Sequence, residues 1–124
     1  MSKPINPQVI YKFGKTKNYD VVNRFKDHSL LKHYNIQPIF SQFLTEAEAD
    51  QWENEYLQKY PKWDYDFELD LDEVIDGITE MRCIDEGIVN KIRQDLYDKK
   101  AKLQTGTRDK SSNTKFYFVK FTKK

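Results

Sequence analysis

The chain has 124 residues, enough for one domain with a hydrophobic core that needs no stabilising disulfides. Its single cysteine cannot form an internal disulfide, and no stretch approaches the roughly 18 apolar residues of a transmembrane helix. We therefore expect one soluble, cytoplasmic domain over residues 1–124 rather than a secreted disulfide scaffold or a membrane protein.

The net charge of +1 conceals a strong segregation of charge along the chain. Residues 1–33 have seven basic and two acidic side chains, and residues 89–124 have eleven basic and three acidic ones. Between them, residues 45–88 have fifteen acidic side chains and three basic ones. This distribution favours polyanion binding, and the sequence leaves open whether the two basic ends meet in space.

The first third of the chain predicts a strand, a helix and a second strand. "QVIYKFG" is typical of a strand that ends at Gly14. "NYDVVNRFKDHSLLKHY" predicts a helix with its apolar residues on one stripe and with Asn18 or Asp20 as its cap. "NIQPIFSQFL" predicts a strand in which Pro38 indicates an edge position or a bulge.

The next segment, "TEAEADQWENEYLQKYP", carries the clearest helix signal in the chain. Thr45 and Glu48 have the spacing of a capping box, and Pro61 follows the end of the helix. The inner face is predicted to consist of Ala49, Trp52, Tyr56 and Leu57.

Aromatic or aliphatic residues alternate with acidic ones in "WDYDFELDLD", residues 63–72. The alternation predicts a half-buried strand with an acidic outer face. Three interpretations of this face remain: a metal-binding edge, a phosphate-mimicking surface for a basic protein partner, or simple protection of a sheet edge.

The remainder predicts two helices, over residues 71–81 and 88–103, then a polar basic loop and a final strand, "KFYFVKFT". The fold class is therefore α+β, with a small mixed or antiparallel sheet flanked by helices.

Several polar residues of the first half recur in a pattern that carries chemistry. A strand ending in "KFGKT" is followed by an arginine, by a histidine four residues later, and by a helix that begins with "EA" and contains a further glutamate. The positions are Lys12, Gly14, Lys15, Thr16, Arg24, His28, Glu48, Ala49, Glu53 and Tyr60. This half, residues 1–61, resembles the GIY-YIG endonuclease superfamily, especially viral and phage members with a "KIGxT" signature; residues 62–124 would be an addition of helices and strands.

The resemblance implies a role for each matching residue. Phosphodiester cleavage needs positive charge at the phosphate and a group that orients water. Glu53 would hold Mg²⁺ or Mn²⁺, since carboxylates suit these ions. The candidate catalytic residues are Arg24, His28, Lys12 and Tyr11, and the candidate nucleic-acid contacts are Lys15, Lys17 and Arg24.

The sequence departs from the family at its first signature. A GIY strand with a water-activating tyrosine should precede residue 8, where the chain has only "MSKPINP". Lys12 replaces the usual tyrosine of the second signature, and Tyr11 should point to the opposite face of the strand. We hypothesise that the terminal strand docks beside "VIYKFG" in the vacant place and brings Tyr117 toward the site.

These observations predict a nucleic-acid-binding protein of nuclease descent, with DNA preferred to RNA and with metal-dependent cleavage if the site is active. The alternative is a small interaction or inhibitor protein, viral or cellular, whose acidic middle binds a basic protein. Arg24 could instead pair with Asp20, and Glu53 could lie on a solvated helix face. The deciding observation is whether Arg24 and Glu53 share one concave surface with Gly14.

Overall fold

The computed structural model describes residues 5–17, 20–69, 78–103 and 113–124. The strands are β1 (Val9–Thr16), β2 (Tyr34–Leu44), β3 (Met81–Arg82) and β4 (Thr114–Lys123). The α-helices are α1 (Val21–Arg24), α2 (Glu46–Lys59), α3 (Lys62–Tyr65) and α4 (Glu86–Leu103), and two 3-10 helices cover Ser29–Lys32 and Ile78–Glu80. In these ranges no helix has both the length and the apolarity that crossing a bilayer requires.

The four strands form one antiparallel sheet in the order β2-β4-β1-β3. The last strand lies in the interior of this sheet: β4 pairs along its length with β1, from Val9 opposite Thr122 to Thr16 opposite Lys115, and on its other side with β2. The predicted α+β class is confirmed, and β4 occupies the place beside β1 that was hypothesised for it.

Each face of the sheet carries its own hydrophobic core, because successive side chains of a strand point to opposite faces. Helices α2 and α4 cover one face, where Phe116 and Phe118 of β4 are buried. The α1 segment and the first 3-10 helix cover the other, where Tyr117, Val119 and Phe121 are buried. The alternation of β4 thus links the two cores.

The local signals of α2 and β2 are confirmed. The Glu48 N–H donates to Thr45 Oγ1 at 3.1 Å and the Thr45 N–H to Glu48 Oε1 at 3.0 Å, which completes the capping box. Strand β2 lies at an edge of the sheet, and its register with β4 shifts between Pro38 and Phe40. Both consequences expected of Pro38 are therefore present.

The long helix predicted over residues 18–34 is wrong. Asp20 does cap α1, but the helix ends after four residues, and a separate 3-10 helix begins after His28. The side chain of His28 accepts the N–H of Leu30, which starts a new capped turn where the helix would have continued. The apolar stripe is still buried, because Phe25 and Leu30 reach the same core from the two short segments.

The strand predicted over residues 63–72 is also wrong in its first part, since Lys62–Tyr65 forms α3, with an ion pair between Lys62 and Asp66. Further along, an isolated bridge joins Glu68 to Ile5. The described residues of this segment therefore do not form one continuous strand with an acidic outer face. Residues 70–77 lie outside the described ranges.

Two other predictions fall mainly on undescribed residues. The helix over residues 71–81 overlaps the described chain only in Ile78–Glu80, which is 3-10, and in Met81, which begins β3. Buried Arg82 fixes this segment, donating from Nε to the Tyr60 carbonyl at 2.7 Å and from Nη1 to the Thr79 carbonyl at 2.6 Å. Residues 104–112 of the basic loop lie outside the described ranges.

Candidate functional site

A cavity of about 300 Å³ opens where β1 passes Gly14. The residues that line it are Lys12, Lys15, Arg24, Phe25, His28, Glu53, Glu80 and Tyr117. Five of the candidate site residues thus come together in one cleft, and Arg24 and Glu53 share a concave surface. We call this cavity the β1 cleft.

The β1 cleft exists because β3 is short. Strand β3 pairs with β1 only at Tyr11 and Lys12, so it does not cover the part of β1 from Phe13 to Thr16. Lys12 and Lys15 line the cleft from β1, and α2 contributes Glu53. Charged side chains therefore border the part of β1 that β3 does not pair with.

Glu53 does not lie on the solvated face of α2. It comes four residues after Ala49 and three before Tyr56, both fully buried, so it continues the inward stripe of the helix. Burial raises the pKa of the Glu53 carboxyl, and the negative charge of Glu80 raises it further. The charges of Lys12 and Lys15 act in the opposite direction. The Glu53 carboxyl is therefore half-buried, with two lysines and other carboxylates close to it.

Tyr117 lines the β1 cleft because it lies opposite Gly14 in the ladder between β4 and β1. A Cβ atom on Gly14 would overlap the hydroxyl and Cζ of Tyr117, so the ring lies directly against the glycine. The residue is 2% exposed, and within the described ranges its hydroxyl has no hydrogen-bond partner. Burial raises the pKa of Tyr117, while the positive charge of Arg24 lowers it.

The cations of the β1 cleft differ in how they are neutralised. Lys12, 5% exposed, forms an ion pair with Glu80, and Lys15 forms one with Asp50. Among the described residues no carboxylate lies within 4.0 Å of the Arg24 guanidinium. Asp20 accepts the N–H of Val22 at 3.0 Å instead, so the alternative in which it pairs with Arg24 is not observed.

The donor set of the β1 cleft suits a divalent ion that keeps most of its water. Glu53 and Glu80 are the carboxylates that line it, and Mg²⁺ commonly binds one or two carboxylates together with water and substrate phosphate. Groups of three or more His, Cys, Asp or Glu able to enclose a metal do not occur in the described part of the chain. The residues present therefore fit Mg²⁺ or Mn²⁺ shared with a substrate.

Tyr11 and Lys17 lie outside this cavity. Tyr11 is buried on the opposite face, with its ring stacked on Phe118 at a centroid distance of 5.6 Å, and burial raises its pKa. Tyr11 therefore points away from the cleft, to the face that strand alternation predicted for it, and Tyr117 is the tyrosine that lines the cleft. Lys17 is exposed, with Nζ 4.0 Å from Glu46, and lines a neighbouring cavity that Lys15 also borders.

Glu80 is the charged lining residue that sequence reasoning missed. It is one of fifteen acidic residues between positions 45 and 88, and no motif distinguishes it. Its place depends on the ion pair with Lys12, 68 residues earlier in the chain.

Comparison with known proteins gave no further information, since no protein-family model, no curated protein and no solved structure matches this chain.

Proposed function

We propose that this protein binds the phosphodiester backbone of nucleic acid, DNA in preference to RNA, in the β1 cleft and cleaves it with Mg²⁺ or Mn²⁺. The observation that carries the proposal is the convergence of Arg24, Lys12 and Lys15 with a half-buried glutamate and a buried tyrosine hydroxyl. These groups come from separate segments of the chain, and each supplies a function that phosphodiester cleavage needs.

The phosphate would bind first to the cations. Arg24 has no carboxylate partner among the described residues, so its planar guanidinium is available to donate two hydrogen bonds to the non-bridging oxygens. Lys12 and Lys15 add positive charge from the strand. Such contacts hold the phosphodiester backbone of the nucleic acid without selecting a base sequence.

Glu53 would hold the divalent ion, which offsets negative charge on the phosphate and the leaving oxygen. Tyr117 stays protonated at neutral pH, because burial raises its pKa. Its hydroxyl can therefore orient the attacking water by a hydrogen bond but does not act as a phenolate. In this proposal Tyr117 takes the role that the resemblance assigns to the tyrosine of the first signature.

The first test is binding. Fluorescence anisotropy with a duplex DNA oligonucleotide at low salt should give a saturable signal that weakens steeply as salt is raised. Arg24→Ala should weaken binding, while Arg93→Ala, an exposed arginine outside the cleft, should not. Equal binding by both variants would contradict the assignment of the cleft.

The second test is cleavage, measured as nicking of supercoiled plasmid with Mn²⁺. Glu53→Ala should abolish nicking and leave DNA binding intact. The control is Glu55→Ala, on the same helix, where the glutamate pairs with Lys99 outside the cleft. If the native chain binds DNA without nicking it, the cleavage part of the proposal is refuted and the binding part stands. Nicking that survives in Glu53→Ala would refute the assignment of Glu53 as the metal ligand.

A further inference from the structure

Lys12 holds a cation in a fixed place beside the carboxylates of the β1 cleft. Its side chain is buried, and its ammonium group forms an ion pair with Glu80. Lys12 Nζ also lies 5.9 Å from the centroid of the Tyr117 ring. One of the two carboxylates that line the cleft therefore already has a cationic partner.

The second carboxylate, that of Glu53, lies near the same ammonium. Within the described ranges the Glu53 carboxyl forms no hydrogen bond and no ion pair of its own. Burial and the charge of Glu80 raise its pKa, and the charge of Lys12 acts against them. The two carboxylates therefore repel each other, and they share one ammonium group.

A buried hydroxyl completes this part of the cleft. Tyr117 is 2% exposed, and its hydroxyl has no hydrogen-bond partner among the described residues. Buried polar groups are normally hydrogen-bonded. The hydroxyl is close enough to Glu53 and Glu80 for their charges to act on it. An unsatisfied hydroxyl beside two carboxylates indicates a ligand that brings oxygen atoms of its own, such as a hydrated cation.

We propose that Glu53 and Glu80 hold the divalent ion together and that Lys12 competes with this ion for Glu80. The inference rests on the function proposed above for the identity of the ion, and it adds a second metal ligand. Mg²⁺ and Mn²⁺ bind through one or two carboxylates and keep several water molecules, which supply hydrogen-bond partners for the Tyr117 hydroxyl.

The competition follows from charge. An ammonium group and a divalent ion repel each other at short range, and the repulsion is stronger in a partly buried cleft than in water. Glu80 therefore cannot serve both cations fully. Once it is released from Glu80, the Lys12 ammonium has no other carboxylate partner in the described part of the chain, so its charge becomes available to the substrate phosphate. Glu80 thus keeps Lys12 neutralised until the ion binds.

The test is a calorimetric titration of the full chain with Mn²⁺ in the absence of nucleic acid. Lys12→Met removes the ammonium and keeps a long side chain, and it should bind Mn²⁺ about tenfold more tightly than the native chain or better, because a competing like charge is gone. Glu80→Gln keeps an acceptor for the Lys12 ammonium but removes a ligand charge, and it should bind Mn²⁺ at least about tenfold more weakly.

The matched controls are Lys99→Met and Glu55→Gln, because these two residues form an ion pair outside the cleft. Neither control should change the affinity for Mn²⁺. Lys12→Met leaves Glu80 without its counter-ion, so its melting temperature is measured with and without Mn²⁺. The ion should raise this temperature more than that of the native chain, since tighter binding gives greater stabilisation. Glu80→Gln gives an independent answer, because the Glu80 side chain is 38% exposed and tolerates the change.

An affinity for Mn²⁺ that is unchanged or weaker in Lys12→Met, or unchanged in Glu80→Gln, would overturn the proposal. The proposed function is judged separately, because the titration requires neither DNA binding nor cleavage. Nicking by the native chain that is lost in Glu53→Ala would leave the proposed function standing even if the titrations overturned the competition. Absence of DNA binding and nicking by the native chain would refute the proposed function whatever the affinities for Mn²⁺.

Discussion

The contact between Gly14 and Tyr117 makes Gly14→Ala a sharp test of how the β1 cleft is built. In an ordinary strand the exchange of glycine for alanine is stabilising by about 0.5–1 kcal/mol. Here the new methyl would overlap the hydroxyl and Cζ of Tyr117. The ring cannot retreat easily, because Phe25 packs edge-on against it at 5.6 Å.

Overpacking of this kind costs about 1–3 kcal/mol. After subtraction of the strand gain, Gly14→Ala should destabilise the protein by up to about 2.5 kcal/mol, a fall of at most roughly 10 °C in melting temperature. Urea unfolding measures the free energy of unfolding, with Gly87→Ala as a control. At Gly87, in the first turn of α4, an added Cβ would lie 3.2 Å from the side chain of Asp85, so the change in stability is expected to stay within about 1 kcal/mol in either direction.

The same substitution in a Tyr117→Leu background identifies the cause. Leucine has no atoms at the positions of Oη and Cζ, so Gly14→Ala should then cost little or stabilise the protein. The coupling energy between the two positions should be about 1–3 kcal/mol. An equal loss of stability in both backgrounds, or a stabilising Gly14→Ala in the native background, would refute the close approach.

Three further predictions concern stability. Deletion of residues 114–124 should abolish folding, because β4 pairs with both β1 and β2; a cooperative thermal transition in the truncated chain would contradict this. Thr45→Ala should cost about 0.5–2 kcal/mol in urea unfolding through loss of the capping box, and Ser41→Ala on β2 is the control. Glu53→Gln should raise the melting temperature at pH 7 but not at pH 4. Because its pKa is raised, the Glu53 carboxyl binds its proton more tightly in the native protein than in the unfolded chain. The stability of the native protein therefore falls as pH rises above the ordinary pKa of a glutamate. If the melting temperatures of Glu53→Gln and of the native protein differ by the same amount at both pH values, this would argue against burial of the Glu53 carboxylate.

Local signals in the sequence predicted the positions of several elements. The capping box of α2, the apolar stripe of α4 and the β-branched and aromatic run of β4 can each be recognised within a short stretch of sequence. Pro38 also predicted the edge position and the bulge of β2, since proline has no N–H to donate at an interior position of a ladder.

The errors arose where tertiary contacts override a local pattern. The alternation in residues 63–72 has the period of a strand, but after Pro61 the described chain turns into α3 and offers a strand partner only at Glu68. The helical stripe at Phe25 and Leu30 was real, yet the side chain of His28 competes for the backbone and divides the helix.

The candidate site was predictable only in part. Lys12, Lys15, Arg24, His28 and Glu53 follow a recognisable order along the chain, and the structure brings them together. Glu80 could not be found, because a single acidic residue among many carries no pattern until folding places it beside Lys12.

The position of β4 inside the sheet has a consequence for biosynthesis. The ribosome makes β4 after the other three strands, and until it emerges β1 and β2 have no common neighbour to pair with. The partner residues Val9 and Thr122 are more than a hundred positions apart, a separation that slows folding. A nascent chain would therefore leave the β1 cleft unassembled until β4 has been made and inserted, and any activity of the cleft would begin only then.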